Sequence, residues 1–357
     1  MNYLPKNLNF KEGIAYIGET SLTDVAKNYG TPLYVYDWEH LKGNIDAFTE
    51  AFGKDALFRY AAKAFISKAL VKELDEKGWG IDVVSGGEMA TVQETVGTLE
   101  NTVFNGTFKR TDEIEYFIQN NGGHISIDNR YEIEMLEKAA SSLKKKQPVI
   151  MRINLDVGAE THPMVLTSGY DQQFGISISF AEEALNQIAS SKSLLFSGIH
   201  VHIGSQIKDP ERYKLAMSSC SEFMNSNLEK VEGEAVFNAG GGFFSPYAGE
   251  EVDHELTVYS QSIHDGVKEH WGEGYKIMIE PGRALVNNPG VILYTAGAIK
   301  ADRGDKPYIL VDGGMSDNPR PALYGSEHKL FNISGGKSEN ETVYAVSGRH
   351  CESGDLL

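Results

Sequence analysis

Cysteine is nearly absent: Cys220 and Cys351 are the only two in 357 residues. Two thiols cannot build the disulfide framework of a small secreted domain, and their scarcity fits a reducing compartment. Basic residues are outnumbered, with 33 Lys plus Arg against 50 Asp plus Glu and a formal charge of −17. That deficit argues against nucleic acid or an anionic membrane as partner, because both want a basic face. No apolar run approaches the length of a membrane span, and the opening MNYLPKNLNF lacks the basic-then-apolar layout of a signal peptide. Internal repeats, linkers and low-complexity tracts are missing as well. What is there is ordinary for a globular chain, 41% hydrophobic and 23% charged. The length suffices for a large core without staples and suggests about two domains. The expectation is a soluble cytoplasmic protein.

Short apolar, β-branched runs alternate with longer segments of helical pattern. The runs are 57–63, 80–85, 102–107, 124–129, 149–154, 198–204, 235–241 and 276–282; helix-like stretches include 67–78, 130–146 and 209–230. Pro210 after Asp209 is a first-turn signal for the last of these. Strand alternating with helix predicts a parallel sheet, and eight units is the count that closes an α/β barrel of the (β/α)8 type. An open doubly wound sheet is the alternative, disfavoured by the count. Nearly every run ends in a reactive or hydrogen-bonding group: Lys63, Asp82, Asn105, Asp128, Arg152, His202, Asn238 and Glu280. In such a barrel the C-terminal strand ends form the catalytic rim. Polar residues also merely terminate strands, but that accounts poorly for a lysine, a histidine and a glutamate all doing so.

Both flanks have a different character. IAYIGE and TPLYVYD near the start, and VILYTAGAIK, PYILVDGG and ETVYAVSG near the end, read as strands between Gly/Asp turns. The expected division is a barrel over 35–285 and a smaller β domain built from 1–34 and 286–357. The chain stops at GDLL, in what reads as the start of another strand, so a C-terminal truncation of the β domain is expected.

Several residues carry chemistry. Lys63, in YAAKAF, can form a Schiff base if its amine is partly desolvated; alone, a strand-end lysine reads as snorkelling. In NAGGGF, Gly240, Gly241 and Gly242 follow a strand and can wrap an anion with backbone amides, or simply form a turn. His200 and His202, in HVHIGSQ, lack the further Cys/His ligands a metal site needs, so no metal is expected; His202 is expected to face the barrel mouth beside Gly204 and Ser205. EPGR sets Glu280 and Arg283 around Pro281 and Gly282, so both can project into one site. RPALY adds Arg320 and Tyr324, and HCESGD adds Cys351, a possible proton donor, and Glu352. Cys220 lies in an amphipathic helical pattern and reads as core.

Taken in order, YAAKAF, GIDVVSGGE, HVHIGSQ, NAGGGF, EPGR, DGGMSDNPRPALYG and HCESGD resemble the diaminopimelate decarboxylase family. Those enzymes use pyridoxal 5'-phosphate (PLP) on an alanine-racemase-like barrel, as ornithine and arginine decarboxylases do. The resemblance runs from about residue 30 to the last residue. It implies that Lys63 holds PLP, that Ser205 and Gly240 to Gly242 cradle its phosphate with Arg283 nearby, and that His202 stacks on its ring. Glu280, with Pro281 and Gly282 beside it, would pair with the ring nitrogen. Arg283, Arg320, Tyr324 and Glu352 would hold the distal end of a small amino-acid substrate. Cys351, supplied across a homodimer interface, would protonate the product carbon.

These roles agree with physical expectation. A carboxylate at the ring nitrogen keeps that nitrogen protonated and deepens the electron sink, favouring decarboxylation over racemisation. Two arginines fit a substrate with a second carboxylate, which ornithine lacks. Ornithine, arginine or a carboxylated polyamine remain the alternative substrates. A non-catalytic PLP-binding homologue, and a metal-dependent barrel using His200 and His202, stand further off. Three departures from the family pattern stand out. Phe65 replaces a usual Asn, Gln173 in SGYDQQFGIS replaces a usual Lys, and the chain stops before a tyrosine that in the family contacts PLP and substrate.

Overall fold

The computed structural model describes residues 3–155, 173–247, 249–251, 254–272, 274–302, 306–335 and 342–357. The chain divides into two compact units: residues 45–244 with 253–284, and residues 1–44 with 245–252 and 285–357.

In the larger unit each of the eight apolar runs becomes a strand. These are β1 (Leu57–Ala61), β2 (Gly80–Val83), β3 (Thr102–Phe104), β4 (His124–Ile127), β5 (Gln147–Asn154), β6 (Leu194–His200), β7 (Val236–Asn238) and β8 (Lys276–Ile279). All pair in parallel with their sequence neighbours, and β8 returns to β1 through Met278↔Leu57 and Ile279↔Phe58. The sheet is therefore a closed barrel. The short strand Ile176–Ser177 pairs alongside the end of β5.

Parallel neighbours need crossovers, and helices supply them. Among them are α1 (Lys68–Glu76), α2 (Gly86–Val96), α3 (Thr111–Gln119), α4 (Arg130–Ser142), α5 (Ala181–Ser190), α6 (Glu211–Asn225) and α7 (Leu256–Trp271). Ser67, Ser85 and Asn129 cap α1, α2 and α4, each side-chain oxygen accepting from the backbone N–H three residues on. The helical pattern at 130–146 stops at Ser142 because Lys144 takes a left-handed φ of 55° and Lys145 N–H turns back to Ala140 O at 3.0 Å.

The barrel interior is a packed layer. Val103, Ile150 and Val236 are fully buried together with Met278, and Leu57 packs against them. Leu57, Val103, Ile150 and Val236 come from β1, β3, β5 and β7, the alternate-strand layering expected of eight tilted strands. Truncating Ile150 to Ala would cost roughly 2–5 kcal/mol. A second apolar cluster is aromatic: Phe58 stacks on Trp79 at 4.5 Å, and Phe243 meets Phe48 at 5.1 Å and Tyr213 at 5.6 Å. At Gly198 the register of β6 shifts, and a Cβ there would lie 1.9 Å from Val236 O, so only glycine lets β6 and β7 approach.

Most strands are shorter than the runs that announce them. The run at 80–85 ends at Val83, that at 102–107 at Phe104, that at 276–282 at Ile279, and that at 198–204 at His200, although β6 begins earlier, at Leu194. The regular strands end there, which leaves Asn105, His202 and Glu280 just beyond them, although single backbone bonds such as Asn105 N–H to Val83 O at 2.9 Å and Glu280 N–H to Gly240 O at 2.8 Å still tie the rim together. His200 and His202 accordingly do not share a strand.

The smaller unit is β-rich. Leu8–Lys11, Ile14–Ile17 and Thr20–Ser21 form an antiparallel sheet. Its first turn is Glu12–Gly13 with φ of 52° and 84°, the paired positive values of a tight hairpin. Leu33–Tyr36 pairs antiparallel with Gly290–Leu293, and Tyr308–Val311 lies between Ala296–Lys300 and Ala345–Ser347. Ala15, Leu22 and Leu293 are buried together, with Leu8, Val25 and Val291 against them.

Candidate active site

Parallel strands point all their C-terminal ends the same way, so the rim collects side chains from distant parts of the sequence. Its centre is Glu280, 5% exposed, one residue beyond β8. Its Oε1 accepts from Asn238 Nδ2 at 2.6 Å and from Asn105 Nδ2 at 2.8 Å; its Oε2 lies 3.4 Å from His200 Nε2. Asn105 Nδ2 also donates to Asp82 Oδ1 at 2.8 Å, so one amide separates two carboxylates. Burial, then the charge of Glu280, raises the Asp82 carboxyl to about 7, against the pull of Lys63. Asp82 Oδ2 is buried and has no partner among the described residues.

His200 and His202 are both held well below the usual imidazole range, first by burial. Arg152 and Lys63 are the leading cationic neighbours of each. Both rings are therefore neutral at pH 7. His200 Nδ1 faces Ser126 Oγ at 3.1 Å, and His202 Nδ1 accepts from Gly241 N–H at 3.2 Å, which puts the His202 ring proton on Nε2. These contacts are the two rings' observed duties.

The glycine run follows β7. Asn238 Oδ1 accepts from Gly240 N–H at 2.9 Å, and Tyr213 of α6 donates to Gly241 O at 2.8 Å. Gly240 and Gly242 have φ of 68° and 98°. A Cβ at Gly240 would meet His202 Nδ1 at 2.7 Å, at Gly241 the Glu280 carbonyl at 2.3 Å, and at Gly242 the Gly204 carbonyl at 2.2 Å. No other residue fits this loop. Ser205 is exposed on the turn after Gly204, and Pro281 O accepts from Ala61 N–H at 3.1 Å, tying the EPGR turn to the end of β1. A Cβ at Gly282 would meet Ala61 Cβ at 3.0 Å. Arg283 opens the short helix Arg283–Val286.

Lys63 sits in the single turn Ala62–Ala64 after β1, exposed and with no hydrogen bond or ion pair among the described residues. These residues fit PLP. An unengaged amine, a glycine loop whose space any side chain would fill, and a buried carboxylate held by neutral amides rather than a cation are what an aldehyde, a phosphate and a protonated ring nitrogen require.

The larger unit thus holds Lys63, His202, Ser205, Gly240, Gly241, Gly242, Glu280, Pro281, Gly282 and Arg283. Arg320, Tyr324, Cys351 and Glu352 belong to the smaller one. There the Arg320 guanidinium lies 4.8 Å from the Tyr324 ring centroid and 5.7 Å from that of Tyr247, and Cys351 and Glu352 are exposed. Residues 168–172 of SGYDQQFGIS lie outside the described residues; Phe174, within the same segment, lies under the Arg152 guanidinium, 4.7 Å away.

Asn105, Asn238 and Asp82 are visible in the sequence only as polar strand ends, and nothing there says that they converge on Glu280. Tyr213 gives no signal, sitting in an amphipathic helix. Nor does Lys109, whose Nζ is fully buried at 3.1 and 3.0 Å from the two oxygens of Glu132. Glu132 Oε2 in turn accepts from Asp128 N–H at 2.9 Å, and Asp128 pairs with Arg152 at 3.3 Å.

A family described as "Pyridoxal-dependent decarboxylase, pyridoxal binding domain" matches residues 39–287. The diaminopimelate decarboxylase of Bacillus subtilis (strain 168) is 36% identical over 358 residues, covering 97% of this chain and 81% of that protein. The crystal structure of diaminopimelate decarboxylase from M. jannaschii in co-complex with L-lysine superposes with a TM-score of 0.88 at 30% identity, covering 99% of this chain and 83% of that one. The Helicobacter pylori enzyme complexed with L-lysine gives 0.83 at 30% identity, covering 94% and 82%. A barrel rim built for PLP and likeness over nearly the whole chain lead to one assignment: the chain belongs to the pyridoxal-dependent decarboxylases, and within them to the diaminopimelate decarboxylases.

Proposed function

We propose that this chain removes CO2 from meso-2,6-diaminopimelate to give L-lysine, the last step of lysine biosynthesis, with PLP as cofactor. The observation that carries the reading is Glu280, a buried carboxylate fed by Asn105 and Asn238 beside a loop that admits only glycine. When bound, PLP supplies an electron sink for the pair left behind by the departing CO2.

The chain's own residues supply the rest. Lys63 holds the cofactor through its amine, Gly240 to Gly242 and Ser205 take the phosphate with Arg283 nearby, and neutral His202 stacks on the ring. Glu280, with Pro281 and Gly282 shaping its turn, keeps a proton on the ring nitrogen. Arg283 and Arg320 receive the distal carboxylate, which planar guanidinium binds in a bidentate way, while Tyr324 lines the site and Glu352 takes the distal ammonium. Cys351 delivers the proton that replaces CO2, so one C–C bond breaks and one C–H bond forms. Ornithine offers Arg320 no carboxylate and is the poorer substrate.

The division into a PLP-binding barrel over 35–285 and a β domain from 1–34 and 286–357 belongs to the same reading. So do a homodimer in which Cys351 serves the partner's barrel and a cytoplasmic location. The exposure of Cys351, Leu323 and Tyr324 supports the dimer. No described helix is long and apolar enough to cross a membrane.

The test compares CO2 release from meso-diaminopimelate, ornithine and arginine. Lys63→Ala is expected to lose both the visible cofactor band and turnover. Cys351→Ala is expected to keep the band and lose turnover by about 100-fold or more, the span of one positioned proton donor. Release from ornithine at a rate matching diaminopimelate would refute the substrate assignment.

A further inference from the structure

The smaller unit buries two carboxylates with no ion pair among the described residues, Asp37 and Asp355, and only Asp37 has a side-chain donor, Asn7 Nδ2 at 3.0 Å. Asp355 is 1% exposed, and its charge is met by backbone N–H groups alone. Oδ1 accepts from Met315 N–H at 2.6 Å and Oδ2 from His350 N–H at 2.8 Å. Its own carbonyl accepts from Gly348 N–H at 2.9 Å and Ser347 Oγ at 3.1 Å. Arg349 N–H to Gly313 O, at 2.8 Å, joins the same two segments directly.

Glycine makes this closeness possible. A Cβ at Gly314 would lie 2.5 Å from Asp355 Oδ1, and one at Gly348 would lie 2.3 Å from Oδ2. Residues 313–315 lead through a turn, with Asp317 and Asn318 N–H both on Gly314 O at 2.9 Å, to the Arg320–Tyr324 helix. Residues 347–352 carry Cys351 and Glu352. A buried ionised carboxylate is costly unless fully hydrogen-bonded, so a carboxylate that spans two loops in this way fixes both.

We propose that Asp355 is a positioning residue for the decarboxylation: its single carboxylate, clamped on the Met315 and His350 amides, sets Cys351 and Glu352 in register with the segment that presents Arg320. This rests on the reading that Cys351 and Arg320 act on the substrate. An asparagine at 355 keeps the shape but must turn its NH2 toward one of the two amides, which opens one arm of the clamp.

The experiment uses the PLP-loaded enzyme, with rates normalised to bound PLP. Asp355→Asn is expected to lower kcat about 100-fold, the scale of an angstrom-level misplacement of a reacting group, and to raise KM severalfold. PLP affinity should stay within about twofold, since nothing in the barrel changes. Cys220 is buried and Cys351 exposed, so a thiol reagent on the native enzyme reads the Cys351 loop alone. Its labelling rate should rise at least about fivefold in Asp355→Asn as the loop loses its clamp. A per-PLP kcat and a labelling rate both within twofold of wild type would overturn the proposal. If Asp355→Asn yields no folded enzyme, Gly348→Ala decides, because its Cβ pushes the same carboxylate off the His350 amide; wild-type kcat and labelling there overturn the proposal equally. The parent reading fails differently: wild-type enzyme that releases no CO2 from meso-diaminopimelate, or Cys351→Ala with full turnover, removes the kinetic role of Asp355 whatever the labelling shows.

Discussion

Replacing Lys109 by Met tests whether the buried ion pair behind β3 and β4 holds the rim together. The Lys109 and Glu132 side chains are 0% and 3% exposed, and Nζ also donates to Gly106 O at 2.8 Å. Burial pushes the Lys109 ammonium down and the Glu132 carboxyl up, and each partner's charge opposes the shift in the other. Methionine fills most of the lysine volume but leaves Glu132 buried without its cation. Breaking one side of such a pair costs about 3–5 kcal/mol, roughly two to nearly four powers of ten in the folding equilibrium. For a barrel unit of roughly 230 residues this is a fall in Tm of about 6–20 °C. The assay is a thermal melt at saturating PLP, with the double variant Lys109→Met/Glu132→Gln alongside. A glutamine oxygen can still accept from Asp128 N–H, so the double variant should recover at least about half of the loss. A single variant within about 1 kcal/mol of wild type, or a double variant less stable than the single, would refute the argument that an orphaned carboxylate causes the loss.

Three further outcomes follow from the rim. Asp82 has a folded-state value of about 7 against an ordinary 3.8, so the folded chain holds a proton that unfolding releases, and its contribution to stability falls as pH rises from about 4 to 7. Asp82→Asn should remove that fall, a relative gain of up to about 1.4 kcal/mol per pH unit across the window; parallel urea-stability profiles for the two proteins would count against it. Gly242→Ala should weaken PLP binding by more than about tenfold in a cofactor titration, because its Cβ would collide with the Gly204 carbonyl and its φ of 98° disfavours a side chain. Tyr213→Phe removes the donor to Gly241 O and should cost about 1–3 kcal/mol of stability, read in the same melts, with Phe243 still stacked on the remaining ring.

The barrel is legible in the sequence because a strand buried on both faces must be continuously apolar, and eight such runs separated by helical stretches admit few other closures. The residues proposed to hold the cofactor are legible for a different reason. Lysine, glycine repeats and the EPGR turn are unusual at strand ends, and their order matches a family. What the sequence hides is convergence. Asn105 and Asn238 are separated by four strands of chain, and only barrel closure puts both amides on one oxygen of Glu280. Lys109 looks like any loop lysine, since the carboxylate that allows its burial lies on a helix more than twenty residues away. Asp355 is hidden similarly: HCESGD draws attention to its thiol and its glutamate, while the aspartate's partners are backbone amides, which no composition reveals.

The return of β8 onto β1 has a consequence for how the molecule is made. The strand before Lys63 cannot pair on that edge until the strand before Glu280 exists, roughly 220 residues later in the chain. At ribosomal rates of about 5–20 residues per second, that interval is on the order of 10–45 seconds. Throughout it the nascent sheet carries an open apolar edge, the kind of surface that chaperones cover. Such high contact order also makes the final closure slow relative to the local helices. Lys63 and Glu280 lie just past the two strands of this last seam, so the two residues proposed to hold the cofactor come together only when the ring closes.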